Sequence, residues 1–167
     1  MKKLNTRQIA LNGVVAGLYA AITILTASFA YGDIQFRIAD ALCLLVALEP
    51  SLTVGLTLGC VIANIFSTVS VLDIVVGSAA TLIGCLLTAQ MKKAWLLPVP
   101  TVLANAVMVG AMLSFVYTPE TFWSGFALMG AQVAAGEVAV LYILGVPLYL
   151  SFRKSDILGR LLRERRA

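Results

Sequence analysis

The stretch Leu86-Leu87-Thr88-Ala89-Gln90-Met91-Lys92-Lys93-Ala94-Trp95-Leu96-Leu97-Pro98 decides how this chain is organised. Two lysines stand between apolar runs, and no other basic residue occurs between Arg37 and Arg153. Farther out, Lys2, Lys3 and Arg7 open the chain, while Arg153, Lys154, Arg160, Arg163, Arg165 and Arg166 close it. Of the 12 Lys and Arg residues, only Arg37 stands apart from these three clusters. Basic residues collect on the cytoplasmic side of a membrane protein, so both ends and the central pair are expected inside. Arg37 is left on the opposite side, within Tyr31-Gly32-Asp33-Ile34-Gln35-Phe36-Arg37-Ile38-Ala39-Asp40.

The chain is 60% hydrophobic and 12% charged, too little polar surface for a soluble domain of 167 residues. A span takes about 20 apolar residues. Residues 1–167 therefore make one transmembrane domain, with no separate soluble part. The net charge of +4 does not point to nucleic acid, because the basic residues sit beside span ends, where they face anionic lipid. Cys43, Cys60 and Cys85 lie in apolar stretches without CxxC spacing, and the chain has no histidine. Zinc, haem and structural disulfides are unsupported, and the thiols read as small apolar groups. The run from Ile9 to Ala30 is longer than the roughly 7–15 residues of a signal-peptide core, so it reads as a retained first helix.

The expected fold is an all-α integral membrane protein with six transmembrane helices and both termini cytoplasmic. The spans run from Gln8 to Phe29, Ala39 to Leu48, Leu52 to Ser67, Leu72 to Gln90, Trp95 to Tyr117 and Phe122 to Phe152. Glu49-Pro50-Ser51 turns the chain on the inner side, since proline disfavours helix before it and suits a first turn. The second span is short: about ten residues of straight α-helix cannot cross a core of about 30 Å. Neighbours must bury it, or it must extend into its loop. The last residues, 153–167, read as a basic amphipathic cytoplasmic tail, with Ile157, Leu158, Leu161 and Leu162 at helical spacing among arginines.

Small residues four apart make grooves for close helix approach. Helix one has Gly13, Gly17 and Ala21 on one face and Ala16 and Ala20 on the next, while helix three has Gly55, Gly59 and Ala63. Such grooves serve packing within the bundle or docking of a membrane partner. Glu137, near the middle of the sixth span, is more telling. A carboxylate at that depth is costly unless it faces the interior, pairs or is protonated. No Lys or Arg lies at its depth in a predicted span, so its partner is an amide, a hydroxyl, water or a ligand. Asn64 and Asn105 are further polar groups inside spans. Asp73 begins helix four, where it either caps the helix or meets a ligand. Arg37 and Asp40 have the spacing to pair with each other. Trp123, Phe36 and Tyr31 lie near enough to the outer loops to stack on a ligand.

The segment from Gly32 to Leu42, Gly-Asp-Ile-Gln-Phe-Arg-Ile-Ala-Asp-Ala-Leu, resembles the G-x-I-Q-F-R-I-S-E-A-L segment of the QueT family of queuosine-precursor transporters. Leu58-Gly59-Cys60-Val61-Ile62-Ala63-Asn64-Ile65-Phe66-Ser67, Leu72-Asp73-Ile74-Val75-Val76-Gly77-Ser78, and Gly136-Glu137 followed by Leu144-Gly145-Val146-Pro147-Leu148 extend the likeness over nearly the whole chain. Ala39 and Asp40 replace the usual Ser and Glu. The resemblance implies a substrate-binding S component of an energy-coupling-factor (ECF) uptake system. Its pocket would open outward, and helix one would dock onto a membrane coupling subunit, T, driven by two cytoplasmic ATPase subunits. No Walker A lysine motif occurs here.

The implied ligand is a 7-deazaguanine such as 7-aminomethyl-7-deazaguanine. Its two adjacent N–H donors suit a carboxylate, its carbonyl wants a donor, and its ammonium wants a second carboxylate. The candidate set is Glu137 for the donor edge, Asn64 or Asn105 for the carbonyl, Asp73 or Asp33 for the ammonium, and Phe36 or Trp123 for stacking. Gln35 and Arg37 complete it from the outer motif. The rival readings are an S component for another vitamin-like or purine-like ligand, a small channel or scaffold, and an intramembrane enzyme. No nucleophile–base spacing favours the enzyme, and no repeated polar ring favours the channel.

Overall fold

The computed structural model describes residues 5–30, 36–67, 69–155 and 157–162. Asn5 starts the first helix, α1 (Thr6–Leu25). Its Oδ1 accepts the Arg7 N–H at 3.2 Å, and Gln8 Oε1 accepts the Asn5 N–H at 3.0 Å. That reciprocal cap pairs two backbone donors where a helix start leaves them free. A single turn, α2 (Ala27–Ala30), follows.

The second apolar segment, Ile38–Ala47, is a 3-10 helix of 10 residues. Runs of 3-10 winding longer than about four residues are uncommon, so this one needs support from outside. It gets it from α1, α3 (Leu52–Ile65), α4 (Leu72–Thr88) and the later helices, which pack around it and bury Ala39, Asp40, Ala41, Cys43, Leu44, Leu45 and Val46. At about 2.0 Å per residue the segment reaches about 20 Å, where an α-helix of equal length reaches about 15 Å. The shortness of this second apolar segment is thus met by tighter winding and by neighbours that shield it.

A 3-10 turn at Ala94–Leu96 leads into α5 (Pro98–Tyr117), with Pro98 and Pro100 in the first turn, where a missing N–H costs nothing. The last long helix departs from the uninterrupted one expected. It runs as α6 (Phe122–Val140), a π turn at Leu141–Gly145, then α7 (Val146–Ser155). Pro147 has no N–H to give the carbonyl four residues back, and the wider turn just ahead absorbs that mismatch.

Helices α1, α3, α4, α5 and α6 each pack on the next, with the 3-10 segment inside. Glycines set the closest approaches. A Cβ on Gly55 would stand 2.5 Å from the Asn12 carbonyl oxygen, and one on Gly59 would stand 2.7 Å from that of Ala16. The small-residue stripe of α3 is therefore spent inside the bundle, against α1. Asn12 Oδ1 accepts the Gly55 N–H there at 2.6 Å. Gly110 meets Gly130 in the same way between α5 and α6.

The outer faces stay apolar: Val54, Leu58, Ile62 and Ile65 on α3, and Leu103, Val107 and Phe115 on α5, are all exposed. A soluble protein does not carry such stripes on every helix. Among the described residues, Thr6–Leu25, Ala94–Tyr117 and Pro119–Ser155 are long and apolar enough to cross a membrane, and Ile38–Ala47, Leu52–Ile65 and Leu72–Thr88 are shorter apolar helices. The described part of the tail is α8 (Ile157–Leu162). Its Leu158 joins the core beside Leu11, Leu48 and Phe152, while Arg160 and Leu161 stay exposed.

Candidate functional site

Around the upper part of the 3-10 segment, polar side chains from α1, α3, α4, α5 and α6 converge in an otherwise apolar interior. Arg37 lies at the segment's head, buried, with Nη2 3.7 Å from Asp73 Oδ2 and Nη1 3.7 Å from Cys60 Sγ. The ion pair is therefore with Asp73 across elements, not with Asp40 as the spacing along the chain suggests. Asp73 lies in the first turn of α4, whose cap position belongs to Val71. Its Oδ2 also accepts from Ser67 Oγ at 2.8 Å, and its backbone carbonyl accepts from Asn64 Nδ2 at 2.9 Å. Gly77 leaves room for this arrangement, since a Cβ there would stand 2.7 Å from Asp73 Oδ1 and 2.8 Å from Asn64 Nδ2.

A second group adjoins the first. The Tyr19 hydroxyl of α1 donates to Asp40 Oδ1, and Asn105 Nδ2 of α5 donates to Glu137 Oε1 at 2.8 Å. Glu137 is only 4% exposed, and its hydrogen-bonding amide is the kind of partner its depth demanded. Cys60 serves as a soft acceptor for Asn64 Nδ2 at 3.4 Å and Thr81 Oγ1 at 3.2 Å as well as for Arg37.

The network leaves a pattern of oxygens without partners. Asp40 Oδ2, Asn64 Oδ1, Asp73 Oδ1, Asn105 Oδ1 and Glu137 Oε2 are all buried with no hydrogen bond. Such groups are rare in native interiors and each calls for an explanation. All of them are acceptors. The Asn64 amide cannot simply be turned over, because its Nδ2 already donates to the Asp73 carbonyl oxygen, which cannot donate back. The interior thus suits a guest rich in N–H groups.

Of the residues singled out in the sequence, Arg37, Asn64, Asp73, Asn105 and Glu137 come together here. Asp33 and Gln35 lie outside the described residues. Trp123 is 79% exposed and packs edge-on against Phe122 with ring centroids 5.3 Å apart, so it takes no part in the cluster. Phe36 is partly exposed and lines an outward apolar groove with Ile38, Ala139, Val140, Ile143 and Leu144. The paired faces of helix one separate. Ala16 and Ala20 are buried in the protein's own core, whereas Gly13, Gly17 and Ala21 face outward, and a Cβ on either glycine would meet nothing within 4 Å.

Tyr19, Asp40, Cys60, Ser67 and Thr81 were not among the expected site residues. Helix one held a signal for Tyr19: Asn12, Ala16, Tyr19 and Thr23 fall on one face at helical spacing, and all are buried.

The QueT transporter family model matches residues 9–154. Over 159 residues the chain is 30% identical to the queuosine precursor transporter QueT of Lactococcus lactis subsp. cremoris (strain MG1363), an alignment covering 86% of this chain and 90% of that protein. No solved structure gives a match. With a matching family model from the first helix to the last long one, and apolar helices throughout, the chain belongs to the QueT transporter family and is a multi-pass protein of the cell membrane.

Proposed function

We propose that this chain is the substrate-binding S component of an ECF-type uptake transporter and that it captures a queuosine precursor of the 7-deazaguanine class. The observation that carries the reading is the set of buried, unpartnered acceptors on Asp40, Asn64, Asp73, Asn105 and Glu137. A 7-deazaguanine presents adjacent ring and exocyclic N–H donors, which two acceptor oxygens side by side receive in parallel. Glu137 Oε2 with Asn105 Oδ1 is our choice for that edge. The base carbonyl needs a donor. Both asparagine amides spend an N–H on protein acceptors, so Arg37, with five N–H groups on its guanidinium, takes this role in preference to Asn64 or Asn105.

In this reading all six apolar helices span the membrane, the cluster opens to the outer side, and both termini are cytoplasmic. The outward face of α1, with Gly13, Gly17 and Ala21, docks onto the coupling subunit T, and two separate ATPase subunits supply the energy. The chain itself catalyses nothing and requires no cofactor.

The test is isothermal titration of the detergent-purified protein with 7-aminomethyl-7-deazaguanine, its 7-cyano analogue and guanine, repeated on Glu137→Gln. Tight deazapurine binding that weakens by about tenfold or more in the variant supports the reading, since a lost charged partner costs about 1.5–3 kcal/mol. Folded protein that binds none of the three overturns it.

A further inference from the structure

We propose that Asp40 sets the selectivity of this site: its unpartnered carboxylate oxygen receives the ammonium of a 7-aminomethyl substituent, so that the cationic precursor is taken in preference to its neutral 7-cyano relative. The inference rests on the reading of this chain as a deazaguanine-binding subunit, and adds which member of the class is chosen and by which residue.

Asp40 is fully buried on the 3-10 segment, and its two oxygens are treated unequally. Oδ1 accepts from the Tyr19 hydroxyl and, at 3.8 Å, from the Cys43 thiol. Oδ2 is buried with no hydrogen bond. Tyr19 and Cys43 are themselves fully buried, so Oδ1 is held in place and Oδ2 is the oxygen left to receive a guest. A carboxylate oxygen in a dry interior is costly without a donor, and an ammonium supplies both the donor and the opposite charge.

The other two carboxyls of the cluster are already engaged. Asp73 faces Arg37 Nη2 at 3.7 Å and accepts from Ser67 Oγ at 2.8 Å, and Glu137 accepts from Asn105 Nδ2 at 2.8 Å. In the proposed binding mode Glu137, with Asn105, takes the ring and exocyclic N–H groups of the base. Asp40 is the carboxyl that remains for a second, cationic group.

Its position suits the shape of the ligand. The Asp40 N–H donates to the Arg37 carbonyl at 2.9 Å, which puts the two residues one 3-10 turn apart, about 6 Å along the axis. Side chains three apart in this winding share a face. A cationic donor and a carboxylate therefore follow each other on one side of the segment. In a 7-substituted 7-deazaguanine the ring carbonyl and the C7 substituent flank the same edge of the base, so a 7-aminomethyl group sets its ammonium beside the carbonyl oxygen. With Arg37 on the carbonyl, Asp40 falls to the ammonium. A nitrile at C7 ends in a lone pair instead, and against Asp40 Oδ2 it sets acceptor against acceptor. The same oxygen thus attracts one substituent and repels the other, which is how close analogues are told apart.

The test is calorimetry on the detergent-purified protein with four ligands that share the base: 7-aminomethyl-, 7-hydroxymethyl- and 7-cyano-7-deazaguanine, and unsubstituted 7-deazaguanine. The parent should bind the amine about tenfold or more tighter than each neutral ligand, the range of a hydrogen bond to a charged group. In Asp40→Asn the amide keeps an acceptor for Tyr19 and turns an N–H2 group toward the guest. The amine should then weaken about tenfold or more against the nitrile, so that the preference closes or reverses. Glu137→Gln should weaken all four ligands together and keep their order.

Equal affinity of the parent for the aminomethyl and hydroxymethyl ligands overturns the proposal, and this comparison needs no variant to fold. Equal weakening of all four ligands in folded Asp40→Asn overturns it too, and returns Asp40 to the anchoring of Tyr19. Protein that binds none of the four sinks the substrate reading and this inference with it. Protein that binds unsubstituted 7-deazaguanine but shows no preference for the amine sinks the inference alone.

Discussion

Replacing Arg37 by Met tests whether the Arg37–Asp73 contact is an ion pair that holds three elements together. Arg37 heads the 3-10 segment, Asp73 belongs to α4, and Ser67 and Asn64 tie Asp73 to the end of α3. At 3.7 Å, with an effective dielectric of about 20, the Coulomb attraction is about 4 kcal/mol. Met keeps much of the apolar stem and removes the charge, leaving the fully buried Asp73 with Ser67 Oγ but no cation. Breaking a buried pair from one side costs about 3–5 kcal/mol, most of it the penalty for the stranded charge. Asp73→Asn takes the carboxylate away from Arg37 instead, with a similar loss.

The double variant strands neither, so it should be more stable than the sum of the singles by about 2–3 kcal/mol. The assay is reversible unfolding by SDS in mixed micelles, run on all four proteins. Additive losses, or an Arg37→Met variant as stable as the parent, would refute a coupled buried pair. The double variant should still fail to bind substrate, which separates the pair's structural work from its place in the pocket.

The other expectations follow from the same contacts. Gly59→Leu, set against the Ala16 backbone at 2.7 Å, should abolish folded monomer in size-exclusion chromatography, whereas Gly13→Leu and Gly17→Leu should leave the fold and ligand affinity intact. If those two variants also support uptake at the parent rate in cells carrying the coupling module, the docking face is misplaced. Asn12→Ala removes the acceptor of the Gly55 N–H and should cost about 1–3 kcal/mol in the same SDS titration. Trp123→Ala should leave ligand affinity within twofold by calorimetry, because its ring lies outside the polar cluster; a large loss would return it to the binding site.

Charge and hydropathy located the helices well because both respond to one dominant force, the exclusion of polar groups from lipid. Lys92-Lys93, Glu49-Pro50-Ser51 and the Pro98–Pro100 pair each mark a boundary that recurs in the structure. The winding of the segments was not legible. Nothing in Ile38–Ala47 signals a 3-10 helix, because that winding is imposed by helices on every side and not by local propensity. The π turn was half legible: Pro147 announces a disturbed ladder but not how the chain absorbs it. The site divided along the same line. Glu137, Asn64 and Asn105 stood out because a polar group within an apolar run is conspicuous. Tyr19, Cys60 and Thr81 were hidden because each also passes as ordinary span composition. The partner of Arg37 was missed for another reason. Neighbours along the chain are visible in sequence, and Asp73, 36 positions away, becomes a neighbour only through the turn between α3 and α4.

The placement of Tyr19 bears on how binding would be felt by a partner. Helix α1 has two uses: its inner face packs Asn12, Ala16, Tyr19 and Ala20 against the bundle, and its outer face shows Gly13, Gly17 and Ala21. The Tyr19 hydroxyl donates to Asp40, whose Oδ2 is one of the unpartnered acceptors of the proposed pocket, so the route from that pocket to the proposed docking helix is one hydrogen bond long. A close-packed helix responds to such a pull as a unit, because the Gly55 and Gly59 contacts leave it no slack against α3. Tyr19→Phe removes one hydroxyl and keeps the ring, so it leaves that packing alone. If the route is used, the variant should hold its substrate within about tenfold of the parent yet lose more in uptake than in affinity. Equal losses in both would reduce Tyr19 to a pocket hydrogen bond.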